Sequence, residues 1–121
     1  MTLTAVQKNI ALSELEPWGT VADLGSVILE GEAKIFGKMT HGSPTDAVSS
    51  AYFGITRGKF RMTYPFDEQA VVVTGAVQLT DESTGQVTRF EVGDSWFVKK
   101  GTPVLWEILS DAFVKHYLAV V

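Results

Sequence analysis

Residues 58–75 read Gly58-Lys-Phe-Arg-Met-Thr-Tyr-Pro-Phe-Asp-Glu-Gln-Ala-Val-Val-Val-Thr-Gly75. Phe60, Met62 and Tyr64 alternate with Lys59, Arg61 and Thr63. Successive side chains of a strand point to opposite faces, so this alternation predicts a half-buried strand with Phe60, Met62 and Tyr64 turned inward. Pro65 ends it, because proline cannot donate to a ladder. Residues 68–74 form the next strand, and Val71, Val72 and Val73 make it apolar on both faces. Such a strand needs a second cover beyond its own core.

Outward from this stretch the chain repeats the theme. Upstream, Ala51, Phe53 and Ile55 alternate with Tyr52, Gly54 and Thr56, and the chain turns near Arg57-Gly58. Ala33, Ile35 and Met39 share one face of an earlier strand and Lys34 and Lys38 the other. His41 lies in a Gly/Pro loop and is expected to be exposed. Downstream, Leu79 and Val87 flank a hairpin tip, and Gly93-Asp94 makes a turn in which the aspartate can hold backbone amides. Residues 95–98 and 104–109 read as strands, the second with Val104, Trp106 and Ile108 on one face. The last strand covers residues 113–120. Short strands at regular spacing, separated by glycine turns, predict an all-β sandwich or barrel. Residues 1–26 read as an N-terminal arm, with a run stopped by Pro17-Trp18-Gly19, and residues 27–121 as the domain.

The chain has 121 residues, enough for one domain with a real core. Hydrophobic residues make up 45% and the net charge is −4, which argues against both disorder and a nucleic-acid groove. With no cysteine, neither a disulfide nor a thiolate metal site can form. No apolar run reaches membrane-spanning length, and the start lacks the build of a signal peptide. A soluble cytoplasmic protein with no nucleic-acid or membrane partner is the expectation.

The glycine spacing resembles the cupin superfamily, a double-stranded β-helix or jelly roll. Within it, the chain is similar to small single-domain cupins of unknown function, including the cupin part of ethanolamine-utilisation proteins. The residues carrying the resemblance are Glu68 with Gly75, Gly93-Asp94, Gly101, Trp106, and Lys115 with Tyr117. The superfamily's two motifs hold a metal through His-x-His, a glutamate and a further histidine. By that pattern the ligand positions fall on Met62, Tyr64, Glu68 and Val104. Only Glu68 ligates in the usual way, and one carboxylate without imidazole suits Fe, Mn, Zn or Ni poorly. The resemblance therefore implies a cupin barrel without its metal or other cofactor. It also implies a homodimer, since related cupins exchange edge strands and a partner subunit could cover Val71 and Val73.

The expected ligand is a small organic molecule, in a cavity lined by Phe60, Met62, Tyr64, Glu68, Val104 and Trp106, with Tyr52 and Tyr117 as further contacts. The alternative is a metal-independent isomerase- or lyase-type enzyme, with Glu68 as general base and Tyr64 or Lys115 as acid or electrostatic stabiliser. Glu68 reads equally as a strand-end carboxylate in water. The last strand leaves its orientation open. Alternation puts the more apolar face of Val114, His116, Leu118 and Val120 inside, whereas the resemblance points Lys115 and Tyr117 inward.

Overall fold

The computed structural model describes residues 3–121, so Met1 and Thr2 of the expected arm lie outside the described residues. Eleven strands run in order: β1 (Glu16–Thr20), β2 (Val27–Gly31), β3 (Lys34–His41), β4 (Val48–Thr56), β5 (Gly58–Thr63), β6 (Asp67–Thr74), β7 (Ala76–Asp81), β8 (Gln86–Glu91), β9 (Ser95–Val98), β10 (Pro103–Ile108) and β11 (Ala112–Val120). They form two antiparallel sheets, ordered β1-β3-β4-β11-β6-β9 and β2-β5-β10-β7-β8. This is the jelly-roll sandwich that the strand spacing and the resemblance implied. No helix of the described residues is long and apolar enough to cross a membrane.

The chain changes sheets at its sharp corners. Arg57 separates β4 from β5, which belong to different sheets. Gly75 does the same between β6 and β7. Its φ of +76° lies in the left-handed region, and a Cβ there would run into the Ala112 carbonyl and the Ser110 hydroxyl. Only glycine fits. The Gly93-Asp94 turn is built as the sequence indicates: the Asp94 carboxylate accepts the Glu91 amide at 2.8 Å.

Between the sheets lies one aromatic core. Trp106 stacks on Phe60, centroids 5.3 Å apart, and meets Trp96 and Phe113 edge-on at 5.9 and 6.0 Å. Ile35, Ile55, Val72 and Val77 fill the space around them. Residues Phe60 and Tyr64 are buried and Met62 packs against the same core, as the alternation in residues 58–64 requires.

The N-terminal residues depart from the expected reading. A short 3-10 turn at Leu12–Glu14 ends before Pro17-Trp18-Gly19, but these residues lie within β1, an edge strand paired to β3 with an irregularity between Pro17 and Gly19. Proline is tolerated at a sheet edge because its missing amide would otherwise face solvent. Ahead of β1, Ile10 and Leu15 pack with Tyr52, Val73 and Val114 on the outer face of the six-stranded sheet. The Asn9 amide donates to the Val73 carbonyl (2.6 Å), and the Thr74 hydroxyl to the Ile10 carbonyl (2.8 Å). Gly54 permits this approach, since a Cβ there would lie 2.5 Å from Leu12 and 2.9 Å from Leu15. The cover that β6 needs over Val71 and Val73 thus comes from the chain's own N-terminal segment, where a partner subunit was one candidate.

Candidate functional site

A cavity of about 520 Å³ opens on the inner side of the six-stranded sheet. Its walls are mostly apolar and rich in aromatic rings. Trp18 comes from β1, Phe53 from β4, Phe60 from β5, Trp106 from β10 and Tyr117 from β11, with Phe66 just before β6. Two charged side chains share this apolar space, Glu68 on β6 and Lys115 on β11. Neighbouring strands bring them together: β11 pairs with β6, with Ala119 opposite Glu68 and Lys115 opposite Val72.

Both groups are almost wholly out of water, at 1% and 4% exposure. Such burial is tolerable only for charges that are paired and hydrogen-bonded. The Lys115 ammonium donates to Glu68 Oε1 at 2.5 Å and approaches the Tyr64 hydroxyl at 3.4 Å. The second carboxylate oxygen accepts from the Tyr64 hydroxyl at 2.7 Å and from Trp96 Nε1 at 3.1 Å. Both oxygens of Glu68 are therefore occupied. Around Nζ stand five rings, with centroids at 4.9 Å (Trp106), 5.1 Å (Tyr117), 5.2 Å (Phe53), 5.6 Å (Trp96) and 5.7 Å (Tyr64). Their π faces add an attraction that a saturated lining would lack.

Burial sets the titration behaviour. Loss of water pulls the Lys115 amine below its ordinary value, and the adjacent Glu68 carboxylate restrains that fall. The same loss of water, reinforced by the Glu68 charge, holds the Tyr64 phenol well above its usual range. Tyr117 is pushed up to about 12 for the same two reasons. The site is thus a neutral ion pair flanked by two phenols that resist ionisation.

The structure brings Phe60, Met62, Tyr64, Glu68, Trp106, Lys115 and Tyr117 into one cavity and leaves two expected residues out of it. Tyr52 lies on the opposite face of β4 from Phe53. It packs under the N-terminal segment, where its hydroxyl accepts the Gln7 amide at 2.9 Å. Val104 lines a smaller hollow of about 150 Å³ with Leu79, Phe90, Trp96 and Thr102, which shares Tyr64 with the larger cavity.

The open question of the last strand is resolved in favour of Lys115 and Tyr117. His116 points outward, where its Nε2 sits 2.8 Å from the Thr40 hydroxyl and its ring meets Tyr52 edge-on. Partial burial lowers its pKa. His41, at the end of β3, is exposed. Among the described residues no group of three or more His, Cys, Asp or Glu is placed to hold a metal ion.

Trp96 is the neighbour of the Glu68–Lys115 pair that sequence reasoning missed. Its strand, β9, alternates Trp96 and Val98 with Ser95 and Phe97, so either aromatic could have faced inward. The β6–β9 register, with Ala70 opposite Trp96 and Glu68 opposite Val98, is what carries the indole to the carboxylate. Phe97, on the other face, is 64% exposed.

Comparisons with known proteins agree with this architecture. The family model described as EutQ-like cupin domain matches residues 42–117. No curated protein gives a significant match. Among solved structures, the chain is similar to the EutQ protein of Clostridium difficile (18% identity, TM-score 0.60, covering 72% of this chain and 68% of that one). A putative ethanolamine utilization protein Q from Salmonella typhimurium LT2 is 16% identical, with TM-score 0.60 and coverage of 88% and 96%. A protein of unknown function from Pseudomonas syringae pv. tomato DC3000 is 17% identical with TM-score 0.74; the alignment covers 88% of this chain and 44% of that one. At these identities the structural likeness speaks for the fold alone.

Proposed function

The chain belongs to the EutQ-like cupin domain family, and on that premise we propose that its barrel binds a small, largely apolar organic molecule without the metal centre of other cupins. The observation that carries this reading is the buried Lys115–Glu68 pair standing in an aromatic cavity of about 520 Å³. Cavities of this size, mostly apolar with a few converging polar groups, are the usual form of small-molecule sites.

The residues present do not suit a divalent metal. The single carboxylate, Glu68, already has both oxygens engaged, and the nearest cation is the Lys115 ammonium. Met62 and Val104, at two expected ligand positions, offer a thioether and a hydrocarbon. A metal ion bound by Glu68 would have to displace Lys115 and leave two cations side by side in a low dielectric. In this reading the lysine supplies a positive charge beside the carboxylate that the superfamily's pattern assigns to a metal.

The ligand we infer places an apolar body against Trp106, Phe53 and Phe66 and one polar group towards Lys115, Glu68 and Tyr64. Benzyl alcohol is a suitable probe, being a neutral ring with one hydroxyl. Titration followed by NMR should shift the resonances of Trp106, Tyr117 and Phe66 and spare those of His116 and Thr40 on the outer face. Shifts confined to surface residues, or none at millimolar probe, would contradict the reading.

A further inference from the structure

We propose that Lys115 is a reactive amine that captures a small aldehyde or ketone as an imine, with Glu68 carrying the protons of the exchange. This rests on the cavity reading above and gives its ligand a chemical class, a carbonyl compound with an apolar or aromatic substituent.

The geometry provides each part. Nζ stands at the cavity wall, with four of its five surrounding rings (Phe53, Tyr64, Trp106 and Tyr117) also lining the cavity. A carbonyl group entering this space meets the amine directly. The one carboxylate in contact with the amine is Glu68, at 2.5 Å, close enough to take its proton without an intervening water. Tyr64 and Trp96 hold the far oxygen of that carboxylate in place. Taken out of water, the ammonium loses the solvation that would hold its proton, and this desolvation, acting against the ring and carboxylate attraction, is the setting in which lysine becomes nucleophilic. The lowered pKa of Lys115 agrees with this placement.

The chemistry balances with the groups at hand. Glu68 takes a proton from the Lys115 ammonium, leaving a neutral amine beside a neutral carboxylic acid. The nitrogen lone pair forms a bond to the carbonyl carbon, the C=O π bond opens, and one nitrogen proton passes to the oxygen to give a carbinolamine. Glu68 then returns its proton to the hydroxyl, the C–O bond breaks and water leaves. The product is a protonated imine with the Glu68 carboxylate as its counter-ion. The ammonium and carboxylate of the start are replaced by an iminium and the same carboxylate, with one water released and no oxidant or reductant needed. The apolar walls disfavour the return of water and so favour the imine.

The test uses the full-length wild-type protein at neutral pH with benzaldehyde and sodium cyanoborohydride, which reduces an imine to a stable amine. Peptide mapping by mass spectrometry then compares Lys115 with the six other lysines of the chain. Labelling at Lys115 should exceed the mean of the others by roughly tenfold, and excess benzyl alcohol should suppress it. The conservative variant Glu68→Gln, its fold checked by circular dichroism, should slow labelling at Lys115 and leave the surface lysines unchanged. If benzyl alcohol binds in the cavity but Lys115 is labelled no faster than the surface lysines, the imine proposal is overturned and the binding site stands. If the probe does not bind and Lys115 is not labelled, both readings fall.

Discussion

The two faces of β11 reverse the usual arrangement of a half-buried strand. The face turned into the barrel carries Lys115 between Phe113 and Tyr117, whereas the face turned outward carries Val114, His116, Leu118 and Val120. Each side is stabilised by a different partner. Inside, the ammonium is balanced by Glu68 and ringed by aromatic faces. Outside, Val114 is fully buried because Ile10 and Leu15 lie over it, while Leu118 and Val120, further along, are each 42% exposed. Alternation therefore reports which residues share a face, and the partners of each face decide which one is the interior. A buried ion pair is a weak source of stability, so the proposed function rests on the polar interior face.

The largest effect expected from this contrast follows breaking the inner pair. Glu68→Leu leaves the Lys115 ammonium without its counter-charge and should lower the unfolding free energy by about 3–5 kcal/mol in urea titrations. The double variant Glu68→Leu with Lys115→Met removes both charges and should recover that loss, ending neutral or more stable than the wild type by about 1–4 kcal/mol. Recovery would mean that the pair is kept for what it does in the cavity. A double variant as unstable as the single one would assign the pair a structural role.

The outer face should respond more mildly. Leu15→Ala removes a buried side chain from the N-terminal cover and should cost about 2–3 kcal/mol, near the low end for such truncations because the segment can settle onto Gly54. Its sharper signature is regional. Hydrogen exchange should accelerate at Asn9 and along the outer face of β6, and benzyl alcohol binding inside the barrel should be unchanged. Loss of binding in this variant would mean that the two faces are coupled.

The smallest effect per step is the pH dependence of the inner face. In the unfolded chain the two phenols ionise near 10.0, whereas in the fold Tyr117 is held neutral to about 12 and Tyr64 is also raised. Their contribution to stability is therefore complete below pH 10 and is lost as pH climbs through the folded values, by about 1.4 kcal/mol per pH unit for each. Lys115 acts in the opposite sense. Its folded pKa lies below the unfolded 10.5, so stability increases with pH until the unfolded amine also loses its proton. Urea titrations across this range should show stability climbing towards pH 10 and falling beyond it. The Lys115→Met variant should lose the climb and keep the fall.

Much of this arrangement is legible in the sequence. Residues 58–64 give β5 and its inward face, Pro65 gives its end, and Ser95–Val98 is a strand at the boundaries the pattern indicates. Glycine turns can be read because positive φ is a local property. What alternation could not supply is what lies over a face. It favoured the His116 face over the Lys115 face for the interior because the apolar cover on Val114 comes from residues about a hundred positions away in the chain. It grouped Val104 with Trp106 correctly as one face, yet that face spans two hollows. Tyr52 was misplaced and Trp96 overlooked because their positions depend on the N-terminal segment and on the β6–β9 register, both long-range contacts.

The central claim is that a lysine–glutamate pair stands where cupins hold a metal, and metal analysis tests it most directly. Untagged protein, purified without chelators, would be assayed for Fe, Mn, Zn and Ni by elemental mass spectrometry, before and after incubation with each ion. The account predicts metal far below one equivalent per chain and no change in Tm on adding any of the four ions. Near-stoichiometric metal that disappears in Glu68→Gln would contradict it, and would mean that Glu68 gives up Lys115 to bind an ion.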